Sequence, residues 1–434
     1  MMKNFNKTKL AAAVGSAALA MAMSSPANAV VVVGGSNGWE ISFDGNINLF
    51  YNQIDFEVTS GGVPATTAVS AATLGTTATV PVSTDSAHLN EGLLPAFFSF
   101  TAKSPTVNGL TGTARISFAP DSSNAKNTRQ DKGGSAIDMR EVYASVDGSF
   151  GTIGFGRTLG LYQRQAILKD MTLFGVGAVA SADGGGTTLG RIGFGYVYPE
   201  FRTAFRYRTP SVNGFQLEVG VFDPQEPAPG FSLAAFETDT PQFQAEATYA
   251  TSFQGGNFNA WVGGIWQEME SQALTAPGDV TSAGWNAGAQ ASMAGFEITG
   301  SYYDGEALGT LLKWFGAAGA GGALAAPGFA CTTAVGCQEA DNDGFYIQGT
   351  YTFAGKTKVG VSYGESNQDS ETAPFAFNDV ENEMWTVGIY HDVTSWLRLV
   401  AEYNDQDSTS RTPAGAPVAG IEAQTFSVGG FLFW

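Results

Sequence analysis

The chain has 434 residues, of which 14% are charged, 12% are aromatic and 56 are glycine. Its 40 Asp and Glu against 21 Lys and Arg give a formal net charge of −19, which excludes a partner held through nucleic-acid phosphates. Scarce charge suits a surface that meets lipid. The acid excess suits an outer face sharing divalent cations with lipid head groups, or plain solubility.

At the N-terminus Lys3, Lys7 and Lys9 precede an apolar run from Leu10 to Met23, and Ala27-Asn28-Ala29 supplies small residues before a cut. This predicts a signal peptide over 1–29, cleaved between Ala29 and Val30, and one exported domain over 30–434. The run is shorter than the roughly 20 residues of a spanning helix. Leu308–Pro327 is the nearest later candidate, but Lys313 and many glycines make it a mobile loop.

Segments of period two then follow one another. Strand one, Trp39–Phe56, sets Ile41, Phe43, Ile47, Leu49 and Tyr51 on one face and Asp44, Asn46, Asn48 and Asn52 on the other. The Thr/Ala/Val/Ser-rich connection Val58–Pro95 reads as flexible or partly folded over the rest. Strands two (Ala96–Lys103) and three (Leu110–Phe118) meet at a short turn, and a polar loop leads to strand four (Ile137–Val146). Asp147-Gly148-Ser149 turns into strand five, which ends at Gly156-Arg157. After the long connection Thr158–Gly190 come strands six (Phe201–Thr209) and seven (Phe215–Phe222).

The later pairs are Gln242–Phe253 with Phe258–Glu268 and Ala283–Met293 with Phe296–Asp304. Gly344–Phe353 with Thr357–Glu365, and Glu383–Asp392 with Trp396–Asn404, complete them. The loop Glu306–Asp341 holds Cys331 and Cys337, which an oxidising compartment would join in a small disulfide loop. Neither His88 nor His391 is near them in sequence, so a metal site is not indicated, and no cofactor motif is visible.

The last strand ends the series. Phe426, Val428, Gly430, Leu432 and Trp434 fall on one side, Thr425 and Ser427 on the other. An apolar strand tipped by an aromatic fits a membrane–water boundary, and a soluble domain seldom leaves such an edge bare. Sixteen strands with every second connection short predict an all-β fold, a transmembrane antiparallel β-barrel of about 16 strands. Both termini then share the short-turn side.

With the apolar side toward lipid, the polar side faces a lumen. Arg202, Arg206 and Arg208 share the face opposite Phe201, Phe205 and Tyr207. Three arginines on one wall need hydration or acidic partners, which a water-filled channel supplies. The same parity places Arg115, Lys356, Lys358 and Arg398 inside with Glu218, Glu246, Glu297 and Glu402. Arg157 shares parity with Ile153 and Phe155 and turns away from the water, unless a subunit or loop covers that wall.

The runs Arg140-Glu-Val-Tyr-Ala-Ser-Val, Gly151-Thr-Ile-Gly-Phe-Gly-Arg157 and Phe205-Arg-Tyr-Arg-Thr-Pro-Ser-Val-Asn-Gly-Phe215 resemble the general trimeric porins of Gram-negative bacteria. The signal peptide and the first and last strands resemble them in outline. The resemblance implies an outer-membrane homotrimer through which small hydrophilic solutes and ions diffuse passively. It implies that Thr158–Gly190 folds inward as the constriction loop, and that Arg157, Arg202, Arg206 and Arg208 form the opposing basic cluster. Where better-known members read Asp-Met-Leu-Pro-Glu-Phe-Gly-Gly-Asp, this chain has Asp170-Met-Thr-Leu-Phe-Gly-Val-Gly-Ala178. Asp170 is kept, two later acidic positions are lost, Asp183 is a substitute, and Arg164 and Lys169 add positive charge. Acidic mouth loops favour cations and an arginine-rich, acid-poor eyelet favours anions; the overall charge tips the expectation to cations.

The same pattern admits other functions. A substrate-specific channel for a sugar or oligoanion would use an aromatic track, but inward Tyr143, Phe222, Tyr303, Tyr346 and Tyr390 are scattered, as if packing against loops. A structural or adhesive barrel would use the long loops. An enzyme is not expected, because His88 and His391 complete no nucleophile–base set.

Overall fold

The alternation seen in the sequence becomes a strand wherever the backbone can pair on both sides. The computed structural model describes residues 30–434 apart from 35–36, 61–62, 65, 72–75, 82, 121, 123–136, 180–186, 226–235, 272–277, 309–327, 333–335, 370–378 and 413–414. The expected signal peptide 1–29, Asp183 and nearly all of the expected mobile loop Leu308–Pro327 lie outside the described residues.

The first eight wall strands are β1 (Glu40–Ser60), β2 (Phe97–Lys103), β3 (Thr111–Pro120), β4 (Ile137–Gly148), β5 (Gly151–Leu159), β6 (Phe201–Arg208), β7 (Phe215–Phe222) and β8 (Gln242–Phe253). The wall continues with β9 (Gly256–Ser271), β10 (Gly278–Met293), β11 (Phe296–Glu306), β12 (Asp341–Phe353), β13 (Thr357–Asp369), β14 (Asp379–Asp392), β15 (Leu397–Arg411) and β16 (Pro417–Phe433). Each pairs antiparallel with the next, and β16 returns to β1 from Asn46–Phe433 to Ser60–Ala419. The result is a closed 16-strand barrel. Among the described residues no helix is long and apolar enough to cross a membrane.

The two faces of the wall are inverted relative to a water-soluble protein. Ile41, Ile47, Leu49 and Tyr51 are exposed outward, while Asp44, Asn46, Asn48 and Asn52 are buried inside. In β16 Phe426, Val428 and Leu432 are exposed and Thr425 and Ser427 buried. So large an exposed apolar surface belongs against lipid. Aromatic side chains rim it at both ends. At the short-turn end Trp434 packs on Phe43 and Phe98, with centroids 5.6 and 4.9 Å apart, and Phe296 on Tyr351 at 4.4 Å. At the long-loop end Tyr363 meets Trp385 at 4.7 Å and Trp285 meets Tyr302 at 5.6 Å. Along β12, Phe345 and Tyr351 stand about 20 Å apart at 3.4 Å per residue, close to the apolar band of about 25 Å of membrane barrels.

Two expectations need correction. Val58–Pro95 is not a loose connection. Ser83–Asn90 pairs with the upper half of β1, and Thr66–Ala71 forms a hairpin with Thr76–Pro81. Residues 91–96, all buried, bulge from the seam between Ser83–Asn90 and β2. Several strands also run further at the long-loop end than their apolar alternation, as in β15 to Arg411 and β16 from Pro417. Backbone pairing continues above the lipid, but the outward residues there are acids. Glu365, Glu383, Asp407, Glu422 and Glu57 stand opposite one another on successive strands. Apolar periodicity stops where the lipid stops, while the hydrogen-bond ladder runs on.

An arginine replacing Ile389, half-exposed on the outer face of β14, should destabilise folding into lipid vesicles by about 3 kcal/mol. Asp405→Arg, opposite Trp385 at the aromatic rim on the same face of β15, should change it by less than about 1 kcal/mol. Urea titrations with equal losses would refute the position of the lipid band.

Candidate functional site

The segment after β5 enters the barrel. Its neck is closed by the Gly160 N–H donating to the Glu200 carbonyl at 2.8 Å, so the inward loop spans 160–200 and starts and ends later than Thr158–Gly190. Helix α1 (Arg164–Lys169) is followed by a single 3-10 turn, Met171–Phe174. Asp170 caps that turn. Its carboxylate accepts from the Thr172 N–H at 2.9 Å, the Thr172 hydroxyl at 2.6 Å and the Tyr196 hydroxyl at 2.7 Å. At 4% exposure its carboxylate is engaged in the loop's own fold. Burial and then Asp170 push the Tyr196 hydroxyl far above its ordinary range.

A buried loop must find acceptors for its own N–H groups, and the wall supplies them. Gln244 Oε1 on β8 accepts from the Leu161 and Tyr162 amides at 2.7 and 2.9 Å. Gln348 Oε1 on β12 accepts from Met171 N at 2.8 Å, and Tyr346 donates to the Ala166 carbonyl at 2.9 Å. On β15, Glu402 Oε2 accepts from both Val176 and Gly177 N–H at 2.9 Å, while its Oε1 accepts from Tyr390 at 2.6 Å. Glycine is required at 175, because a Cβ there would overlap the Glu402 carboxylate. Arg191, fully buried, donates to the Met384 and Ser362 carbonyls and to Thr386 Oγ1 at 2.8–3.0 Å. Of the inward tyrosines, Tyr346 thus bonds the loop directly and Tyr390 bonds the carboxylate that holds it.

Residues 91–96 grip the loop from the other side. Asn48 on β1 fixes the bulge by accepting from Gly92 N and donating to Leu94 O, both at 2.8 Å. Leu93 N donates to Gly175 O at 3.0 Å, and Thr188 N to the Glu91 and Gly92 carbonyls. An apolar core of Leu93, Leu159, Ile167, Leu173 and Ile192 forms between bulge, loop and wall.

The sequence-assigned cations take different positions. Arg202, Arg206 and Arg208 share one face of β6, opposite exposed Phe205 and Tyr207. Arg206 pairs with Glu218 on β7 at 3.2 Å. Arg164 reaches from α1 to the same Glu218 at 2.8 Å and to Glu246 on β8 at 2.5 Å. Burial disfavours the Arg164 charge, but the two carboxylates outweigh it and raise its pKa above the ordinary arginine range. Arg202 bonds the Asp223 carbonyl at 2.6 Å and Glu200 at 3.4 Å, and Arg208 bonds Thr152 at 3.2 Å. Arg115 is buried, forked onto Asp44 with two 2.8 Å bonds and tied to Glu141 at 2.9 Å. Its charge is answered within the wall.

Arg157 does not share the face of the β6 arginines. Its ladder partners are Val142 and Thr203, both exposed, and it is itself exposed. It nevertheless borders a cavity of about 300 Å³ between loop and wall, with Asp138, Arg140, Tyr198 and Glu200. Parity missed Arg140. A register shift between β3 and β4 at Ser117/Phe118 lets Arg140 and the neighbouring Glu141 both point inward, and only the ladder reveals it. A second cavity, about 520 Å³, lies toward the short turns and is lined by Glu297 and Lys358. On the loop, burial lowers the pKa of Lys169, opposed by Glu297 and Glu246. Cys337 is disulfide-bonded, and its ladder partner in the hairpin of Phe329–Thr332 with Gly336–Glu339 is Cys331.

Comparison with known proteins gives one consistent answer. A family described as Gram-negative porin matches residues 12–411. No curated protein matches the chain. The outer membrane channel DcaP of Acinetobacter baumannii is similar at a TM-score of 0.63 and 14% identity, covering 93% of this chain and 100% of its own. An anion-selective porin from Comamonas acidovorans follows at 0.56 and 13%, covering 91% and 100%. Outer-membrane OmpT of Vibrio cholerae is similar at 0.52 and 16%, covering 93% and 100%.

Glu402→Gln replaces the acceptor of two loop amides with a group that must also place an NH₂ there. It should weaken docking of residues 160–200 by about 2 kcal/mol and make the loop several-fold more sensitive to protease in detergent, with the barrel intact. Unchanged cleavage would show that Glu402 does not latch the loop.

Proposed function

The chain belongs to the Gram-negative porins, and from that premise we propose that the gap between the inward loop and the β3–β7 wall controls what passes. The protein forms a water-filled channel in the outer membrane for passive diffusion of small hydrophilic solutes and ions. The carrying observation is a polar, charge-lined interior inside a closed barrel, narrowed by a loop that the wall holds through Gln244, Gln348 and Glu402. No residue set in this arrangement is assigned a catalytic step.

In the narrow zone Arg202, Arg206 and Arg208 form the basic wall. Arg206 and Arg164 share Glu218, so their charge is largely answered. Arg115 is answered by Asp44 and Glu141, and it sets wall geometry more than ion preference. The net charge of −19 and the acid-rich long-loop end concentrate cations, while the arginines oppose them locally. The Comamonas acidovorans porin is described as anion-selective, and the balance in this chain is set by its own acids. Residues 1–29 are removed on export, the short turns face the periplasm and copies assemble as a homotrimer. The support for these is the lysine–apolar–small-residue N-terminus and the resemblance to trimeric porins.

Planar-bilayer recordings in KCl should show ohmic, stepwise openings in groups of three; silence would sink the channel. Under a salt gradient, Arg208→Glu should move the reversal potential toward greater cation preference by several millivolts, since it reverses one fixed charge. An unchanged potential would remove Arg208 from the narrow zone.

A further inference from the structure

We propose that the cavity between the inward loop and the β4–β6 wall binds a small amphipathic monoanion, a carboxylate carrying an aromatic or branched aliphatic body. This rests on the channel function above and names a class of solute it selects. The cavity volume is about 300 Å³, at the lower end of small-molecule sites and equivalent to about ten waters.

Its lining has two characters. Leu168, Leu173 and Ile192 of the loop and Leu93 and Leu94 of the bulge give one apolar side. The charged groups that line it are Asp138, Arg140, Arg157 and Glu200. Arg140 is engaged by Asp138 at 3.1 Å and by the Tyr198 hydroxyl at 3.3 Å, and Glu200 by Arg202 at 3.4 Å. Arg157 has no hydrogen-bond or ion-pair partner among the described residues, which leaves one guanidinium fork for a ligand. Thr188 lines the same cavity at 1% exposure, and its hydroxyl lacks a hydrogen-bond partner. A buried hydroxyl without a partner is costly and is relieved by a ligand oxygen.

The chemistry follows. A planar guanidinium recognises a carboxylate through two parallel hydrogen bonds. An apolar body displaces water from the leucine side, a gain that a fully hydrated ion cannot make. A cation of the same shape meets Arg157 with the wrong sign, while the lining carboxylates Asp138 and Glu200 are already engaged by Arg140 and Arg202. The loop supplies apolar side chains where an acidic loop would repel such an anion.

Phenylacetate tests this in single-channel recordings in KCl, with acetate and phenethylamine as controls. Phenylacetate should block the current saturably, while the controls at equal concentration should not. Each block is measured against that variant's own open-channel current. Arg157→Gln and Leu168→Asn should each raise the half-blocking concentration about tenfold, and Arg157→Lys should recover part of the loss. Equal effects of phenylacetate and acetate, block by phenethylamine, or an unaltered half-blocking concentration in Arg157→Gln would overturn the site while leaving the channel standing. A silent wild-type protein would instead overturn the channel function beneath it.

Discussion

Hydrocarbon offers no partner to a backbone N–H or carbonyl, and every feature of this fold answers that constraint. A sheet satisfies itself only if its last strand pairs with its first. The β16–β1 ladder does so from Asn46–Phe433 to Ser60–Ala419, and the Trp434 and Gly45 backbones extend it by two hydrogen bonds. Once the sheet closes, period two decides the rest. One set of side chains meets lipid, and the alternate set meets a lumen where charge is tolerated.

The lumen is not simply an empty tube with charges. Much of it is occupied by a second packed unit, the inward loop, with its own apolar core against residues 91–96. Opposite charges on the wall answer one another from strand to strand, as in Asp44–Arg115–Glu141 and Arg206–Glu218–Arg164–Glu246. Buried ionic chains of this kind fix geometry more than they add stability. The loop interrupts the wall chain only to join it, since Arg164 supplies the cation between two wall carboxylates.

Most of the barrel could be read from the sequence, because lipid on one side and water on the other give every strand the same two-residue signature. The strand count, short turns and inward face of the β6 arginines all follow from it. What stayed hidden depends on distance rather than period. Ser83–Asn90 is a strand without apolar alternation, since its length of β1 lies largely above the lipid. The inward turn of Arg140 depends on a register shift with β3. Asp170 matched the resemblance at its position, yet Thr172 and Tyr196 claim its oxygens. The Arg191 anchor joins residues 171–195 positions apart in the chain, beyond the reach of any local pattern.

The inward bulge at 91–96 links two events that are separate in a simpler barrel. Its Leu93 amide is satisfied by the loop carbonyl of Gly175, and its carbonyls at Glu91 and Gly92 accept from Thr188. The seam between Ser83–Asn90 and β2 is therefore completed by the inward loop, which follows it four strands later in the chain. Completing this part of the wall and docking the loop draw on the same backbone hydrogen bonds. Moving the loop aside would strip partners from the Leu93 amide and the Glu91 and Gly92 carbonyls as well as from the loop's own backbone.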